Sequence, residues 1–235
     1  MVPSKANREF VGVNAIQIFA GLSVDRMHWI ADRMATKKYS RGAEIVAFGE
    51  TSRDIFFVLS GKVSSKNYSA NGREFIYTVV GLGECFGEFS AIDQLPRSSS
   101  VMALSDCSIG SMTSEHFNSL LRMEPDLSML VMRTIVSKAR RLTSRLLAMV
   151  ANSSSERLRM ELIRLAESGT RDGLRAIIDP APTHYELAAL VGSHREAVTK
   201  ELGRLETLGK IISKRGHITI VNIEMFIEGV SPFIL

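Results

Sequence analysis

The feature that most limits this chain is a change of hydrophobic period near residue 113. Between about residues 38 and 112 the apolar residues come in short β-branched or aromatic runs: "KYSRGAEIVAFGE", "RDIFFVLSGKV", "REFIYTVVGLGECFGE" and "SSSVMALSDCSIGSM". Glycines at 42, 49, 61, 72, 81 and 83 punctuate them. Many short strands with turn signals between them describe an antiparallel sandwich or barrel. "ANGRE" (70–74) is a hairpin turn, because Asn-Gly tolerates the positive φ angles of a tight turn. Residues 1–22 have a helical pattern that ends near "AGLS".

Beyond "TSEHFNSLLRMEPDL", where Thr113 or Ser114 can cap a helix, the spacing lengthens. Ile135, Ala139, Leu142, Leu146 and Met149 alternate by four and three, a heptad seam flanked by Lys138, Arg140, Arg141 and Arg145. A helix packed on its own sandwich would share this pattern. The narrow seam between charged faces favours a helix that pairs with a second copy of the chain. "ANSSSE" (151–156) then reads as a hinge and restart, with Ser153 or Ser154 as cap and Glu156 in the first turn. There follow a helix "ERLRMELIRLAES", a Gly-containing turn, a strand "RAIIDP", two short helices and a hairpin "KIISKRGHITIVN". The expected class is therefore α+β: an antiparallel sandwich or barrel over 1–126, a long dimerisation helix over 127–152, and a small domain over 153–235.

Charge enters here because the net value of +4 invites a nucleic-acid partner. Its distribution says less than its sum. Residues 133–152 carry five Lys and Arg and no Asp or Glu, whereas residues 153–235 carry 11 of each. A claim of DNA binding has to rest on local arrangement, and "PTHYELAALVGSHREAVTKELGRLETLGKI" (182–211) supplies one. Thr183 with Glu186 and Ser193 with Glu196 are spaced as capping boxes. Leu187, Ala188 and Val191 pack before a break at Gly192, and Ala197, Val198, Leu202 and Leu205 face inward afterwards. The outward face then presents Arg195, Glu196, Thr199 and Lys200. A short helix leading with its N-terminus fits the major groove, where Arg reads guanine and Glu accepts from cytosine N4. Thr183, His184, Ser193 and His194 complete the candidate contacts, and Lys214 and Arg215 at the hairpin tip suit a wing on the phosphates.

"FGEFSAIDQLPRSSS" (86–100) sets a carboxylate, a guanidinium and three hydroxyls on one loop. A ribose fused to a cyclic phosphate would use them all: Arg97, Ser98, Ser99 and nearby backbone amides for the anion, Glu88 for the 2′-hydroxyl while holding Arg97 in place. Gly87 lets the backbone approach closely, and Phe89 follows it. A plain Glu88–Arg97 surface ion pair would satisfy the same spacing.

With "FFVLSGKV", "FGEF…PRSSS", "ARRL" and "VGSHREAVTKEL" in this order, the chain resembles the CRP/FNR family of bacterial transcription regulators from about residue 15 to 228. The resemblance implies a cyclic-nucleotide-binding β roll of jelly-roll type, a dimerising helix and a winged helix–turn–helix. It implies cAMP as ligand, with Gly87 and Glu88 on the ribose and Arg97 and Ser98 on the phosphate; Ser98 leaves cGMP open beside it. Family members contact the base from a Thr-Ser pair on the long helix. Here "ARRLTS" brings Thr143 and Ser144 two residues closer, so Thr143, Ser144 and Arg141 are candidates, and a gapless match would place Arg145 and Leu146 there. Arg195 and Glu196 match the recognition pair for a TGTGA-like palindromic half-site, with Lys200 replacing a second arginine. RNA polymerase is the further partner implied.

Other classes find little purchase. No apolar run approaches the roughly 20 residues of a membrane span, and "MVPSKANREF" is no secretory signal, so a cytoplasmic protein is expected. Cys85 and Cys107 stand apart with no CxxC pair, and His28, His116, His184, His194 and His217 form no ligand set. Metal, haem and iron–sulfur cofactors are not expected. Nothing resembles a phosphate loop, a zinc-protease motif or a nucleophile elbow, so no enzyme is expected. The rival reading is a nucleotide-independent regulator of the same type, set by its abundance or by oxidation of Cys85.

Overall fold

Eight strands between Ala35 and Met112 fold back on one another in the computed structural model, which describes residues 12–70, 72, 74–167 and 169–228. They are β1 (Ala35–Tyr39), β2 (Glu44–Val46), β3 (Ile55–Ser60), β4 (Val63–Tyr68), β5 (Glu74–Val80), β6 (Cys85–Phe86), β7 (Ser100–Ala103) and β8 (Cys107–Met112). Two antiparallel four-stranded sheets result, in the orders β1-β8-β3-β6 and β2-β7-β4-β5. β4 and β5 pair from Val63↔Val80 to Tyr68↔Glu74, as a hairpin at "ANGRE" requires. Asn71 and Arg73 of that turn lie outside the described residues.

"IFFVL" in β3 is apolar throughout because alternate side chains serve two clusters. Ile55 and Phe57 join Phe19, Ile30, Met112, Phe117, Leu120 and Leu127. Val58 and Phe56 join Val46, Val63, Val80, Phe86, Val101 and Ile109. The first cluster draws on helices the strand pattern concealed. Helix Val24–Ala31, capped by Ser23, has no counterpart in the sequence pattern; in place of a continuous helix to residue 22, the described part is helical at residues 12–13 and then holds a 3₁₀ turn at Gln17–Phe19. Residues 1–11 of that expected helix lie outside the described residues. Of the two candidate caps after β8, Thr113 is the cap of helix Ser114–Met123, its hydroxyl accepting from the His116 N–H.

The long helix runs from Pro125 to Ala151. Proline suits its first position, where the missing N–H would have no partner. The chain forms two compact units, one ending at Lys138 and the other beginning at Ala139. In the second unit, Asn152 and Ser153 interrupt the helical run, and Ser153 rather than Ser154 caps helix Ser154–Glu167 in a reciprocal pair with Glu156. A sheet of order β11-β12-β10-β9 follows, made by β9 (Thr170–Asp172), β10 (Arg175–Ile178), β11 (Ile211–Lys214) and β12 (His217–Ile220). Helices His184–Leu190 and Arg195–Thr207 form the helix–turn–helix, and Ile223–Glu228 closes the described chain. β9 and this last helix were not anticipated. β9 has three exposed residues, too few to show a period, and exists through its pairing with β10.

Candidate functional site

β6 delivers the chain into the candidate loop at Gly87, whose φ of 80° lies in the left-handed region. A Cβ there would stand 2.7 Å from an Arg97 guanidinium nitrogen and 3.0 Å from the Asp54 carbonyl. Glycine is therefore required by the inward reach of Arg97 as well as by backbone geometry. Helix Glu88–Asp93 starts at once and ends at Gln94, itself left-handed at φ 64°.

Arg97 is 3% exposed. Its Nε donates to Ser52 Oγ (3.0 Å), and its two terminal nitrogens donate to the carbonyls of Gly87 (3.2 Å) and Asp54 (2.8 Å). The guanidinium lies 5.3 Å from the Phe56 ring centroid. A guanidinium has five N–H donors, so two remain for a ligand oxygen after these bonds. Burial lowers its pKa, and the carboxylates of Glu50, Asp54 and Glu88 oppose that shift. An anion arriving here would meet a cation held in place by neutral groups.

Glu88 is buried at 4% and does not hold Arg97. Its Oε1 lies 2.7 Å from Lys138 Nζ, and the same ammonium donates to the Cys85 carbonyl at 3.2 Å. Neither a Glu88–Arg97 surface ion pair nor a clamp on Arg97 is present. The expectation paired the two because they are the opposite charges of one loop; the fold offers Arg97 backbone carbonyls and brings Glu88 a cation from the long helix. Ser99, just ahead of β7, shares a hydrogen bond of 2.7 Å with Ser65 of β4, and Asn67 donates to the Ser98 carbonyl at 3.1 Å. Ser98 itself is exposed and Phe89 is 37% exposed. Ser52, Asp54, Phe56 and Lys138 were not identified from sequence. Lys138 was legible only as a charge flanking the seam.

Arg141, Thr143 and Ser144 are exposed on helix turns that belong to the second unit. There the Thr143 hydroxyl donates to the Ala139 carbonyl at 3.1 Å, a bond within its own helix. Arg145 is more committed, donating to the Leu190 carbonyl, and burial lowers its pKa.

In the same unit the Thr183–Glu186 capping box is complete, with Glu186 Oε2 accepting from the Thr183 N–H at 2.7 Å. The second expected box is absent. Ser193 is buried, and His194 is the N-cap of helix Arg195–Thr207 with no side-chain cap bond. Starting one residue later puts Glu196 at the second helical position, out of register for a reciprocal bond. Gly192 makes the turn with φ 60°. Arg157 fastens that turn from outside, donating to the carbonyls of Val191 (2.8 Å) and Gly192 (3.3 Å). Val198, Leu202 and Leu205 are buried as expected, while Ala197 is half-buried. Arg195, Glu196, Thr199 and Lys200 are exposed together, and His184 Nδ1 lies 2.8 Å from Thr199 Oγ1. At the wing, pairing of Lys214 with His217 leaves Arg215 and Gly216 as the turn, with Lys214 and Arg215 exposed.

The chain matches the cyclic nucleotide-binding domain over residues 36–124 and the Crp-like helix-turn-helix domain over residues 140–228. A CRP-like cAMP-activated global transcriptional regulator of Mycobacterium tuberculosis is 28% identical over 186 residues, 79% of this chain and 83% of the relative. A cyclic AMP receptor protein of Thermus thermophilus is 27% identical over 194 residues, 83% and 87% of the two chains. Among solved structures, a CooA variant from Carboxydothermus hydrogenoformans superposes with a TM-score of 0.77 at 16% identity, covering 86% of this chain and 90% of its own. At that identity the likeness is one of fold.

Proposed function

This chain belongs to the CRP/FNR family of transcription regulators, which are not enzymes, and we propose that it is a homodimer that binds a 3′,5′-cyclic nucleotide and then a palindromic TGTGA-like DNA site. The observation that carries the ligand half is Arg97, a buried guanidinium with two unused donors, beside a buried carboxylate. The two donors suit the two free oxygens of a cyclic phosphate. Glu88, Gly87 and Phe89 serve the ribose side, Ser98 and Ser99 the phosphate side. The relatives named for cAMP favour it as ligand, and the exposed Ser98 keeps cGMP as the alternative nucleotide. Arg141, Thr143 and Ser144 are the proposed base contacts.

On the DNA side, Arg195 and Glu196 read base edges, Lys200 and Thr199 support them, and Lys214 and Arg215 contact phosphates, with Thr183, His184, Ser193 and His194 at the entry to the recognition helix. Two such helices in a dimer would sit roughly 34–36 Å apart on one face of the duplex. The long helix favours a dimer because Leu142, Leu146, Leu147 and Val150 are exposed along it, Val150 at 83%. Nucleotide would bias the dimer toward its DNA-binding arrangement, by no more than its differential affinity for the two states. In this reading residues 1–126 sense, 127–152 dimerise and 153–235 bind DNA, in the cytoplasm and beside RNA polymerase.

The thiol-controlled rival is disfavoured by the cysteines themselves. Cys85 is buried and its pKa is pushed up to about 12, chiefly by burial. A thiol that stays protonated at neutral pH is a poor nucleophile toward oxidants. Calorimetric titration with cAMP and with cGMP tests the proposal. Micromolar binding of either, with tightened binding to a TGTGA-type palindrome, is expected. Absence of heat from both, in protein that still binds the palindrome, would remove the nucleotide and leave the DNA reader.

A further inference from the structure

Lys138 flanks the seam of the long helix in sequence, yet its ammonium turns toward the loop that follows β6. It lies 2.7 Å from Glu88 Oε1, with side-chain exposures of 18% and 6% for the two residues. Its second bond, at 3.2 Å, goes to the Cys85 carbonyl in β6, just ahead of Gly87. A pair this far out of water differs from an exposed one, because removing either partner leaves an uncompensated charge. The ammonium engages Oε1, and a carboxylate has two oxygens with about four acceptor positions between them. Oε2 is thus left for a hydroxyl. The two partners also come from separate elements, the loop after β6 and the first-unit part of the long helix, 50 residues apart in sequence.

Resting on the nucleotide reading above, we propose that Lys138 is a positioning residue of that site. Its ammonium aims the Glu88 carboxylate, so that the second oxygen meets the ribose 2′-hydroxyl. The ribose contact then depends on the long helix being docked against the loop. By reciprocity, a ligand that engages Glu88 strengthens the same docking. A purely structural ion pair would behave differently: its loss would weaken every ligand alike.

Calorimetric titration of the full chain with cAMP and with 2′-deoxy-cAMP separates these cases, using wild type, Lys138→Met and Lys138→Arg. The wild type is expected to prefer cAMP by about tenfold, the worth of one hydrogen bond to a charged acceptor. Lys138→Met should erase that preference while leaving the 2′-deoxy analogue at its wild-type affinity, and Lys138→Arg should restore it. If Lys138→Met does not fold, Lys138→Gln carries the same comparison with the same expectation. Equal losses for both nucleotides, or an unchanged preference in the variant, would overturn the role of Lys138 alone. A wild type that binds neither nucleotide would overturn the nucleotide reading and this proposal together.

Discussion

The loop from Gly87 to Ser99 and the leading turn of helix Arg195–Thr207 each set an arginine with a glutamate, but they treat the pair in opposite ways. Arg97 and Glu88 are buried, and each is held by groups from elsewhere in the fold, Arg97 by Ser52 and the Asp54 carbonyl as well as the loop's own Gly87 carbonyl, Glu88 by Lys138. Arg195 and Glu196 are exposed on a helix whose other side is buried through Val198, Leu202 and Leu205. The difference follows from the partner each would meet. A small anion is gripped by charges already desolvated and fixed, since ordering them at binding would cost affinity. A DNA groove supplies its own surface, so the protein needs only a rigid backbone that carries solvated side chains to the base edges.

Arg97→Ala is the strongest attempt to break this contrast. It should lower nucleotide affinity on the order of a hundredfold or more, because two charge-assisted bonds go with the guanidinium. It should also destabilise the folded chain by roughly 1–3 kcal/mol, through the acceptors left without a donor. Titration and denaturant melting read the two effects, and a variant as stable as wild type would show that Arg97 is not integral to the fold.

Arg195→Ala should do the reverse. Discrimination at one base pair should fall by roughly 1–3 kcal/mol, with stability unchanged within about 0.5 kcal/mol. Binding to shuffled DNA in a competition assay should stay at the wild-type level. Lys214→Ala, by comparison, should weaken all sequences alike and reduce the salt slope by about one. Equal losses on specific and shuffled DNA for Arg195→Ala would place that residue on the phosphates.

The smallest effect sharpens the comparison within the recognition helix itself. Glu201 is buried, and the exposed Arg204 side chain hydrogen-bonds it at 2.7 and 2.8 Å and holds its carboxyl below the usual range. A depressed folded-state pKa contributes stability that is present above the ordinary value of 4.5 and lost as pH falls through the folded value. Glu201→Gln should therefore melt slightly below wild type at pH 7, by no more than about 1 kcal/mol. The gap should close on acidification; a constant gap from pH 7 to 3 would mean the carboxylate's charge contributes nothing.

Much of the architecture was legible from local pattern. Short β-branched and aromatic runs between glycines marked the strands, the four-three spacing marked the long helix, and Thr183 with Glu186 marked the entry to the helix–turn–helix, because each signal depends on residues within a few positions of one another. Gly87, Glu88 and Arg97 were likewise expected as a group, since the chemistry of a sugar phosphate calls for those types on one short loop; the fold joins Gly87 to Arg97 and gives Glu88 to Lys138. Their connections were not legible. Opposite charges ten residues apart invited a direct pair, and Ser193 before Glu196 invited a cap that the helix begins too late to form.

What the sequence by itself determined is the main order of elements and which residue types stand close together on the loop after β6 and on the helix Arg195–Thr207; those are properties of residue types at short spacing. Only the tertiary structure decided that Arg97 rests on Ser52 and two carbonyls and that Glu88 is neutralised by Lys138. A buried charge takes whichever compensating group the packed layers bring within about 3 Å, and apart from the Gly87 carbonyl, 10 residues from Arg97, that choice is made by contacts 43 to 50 residues apart, which no local pattern records.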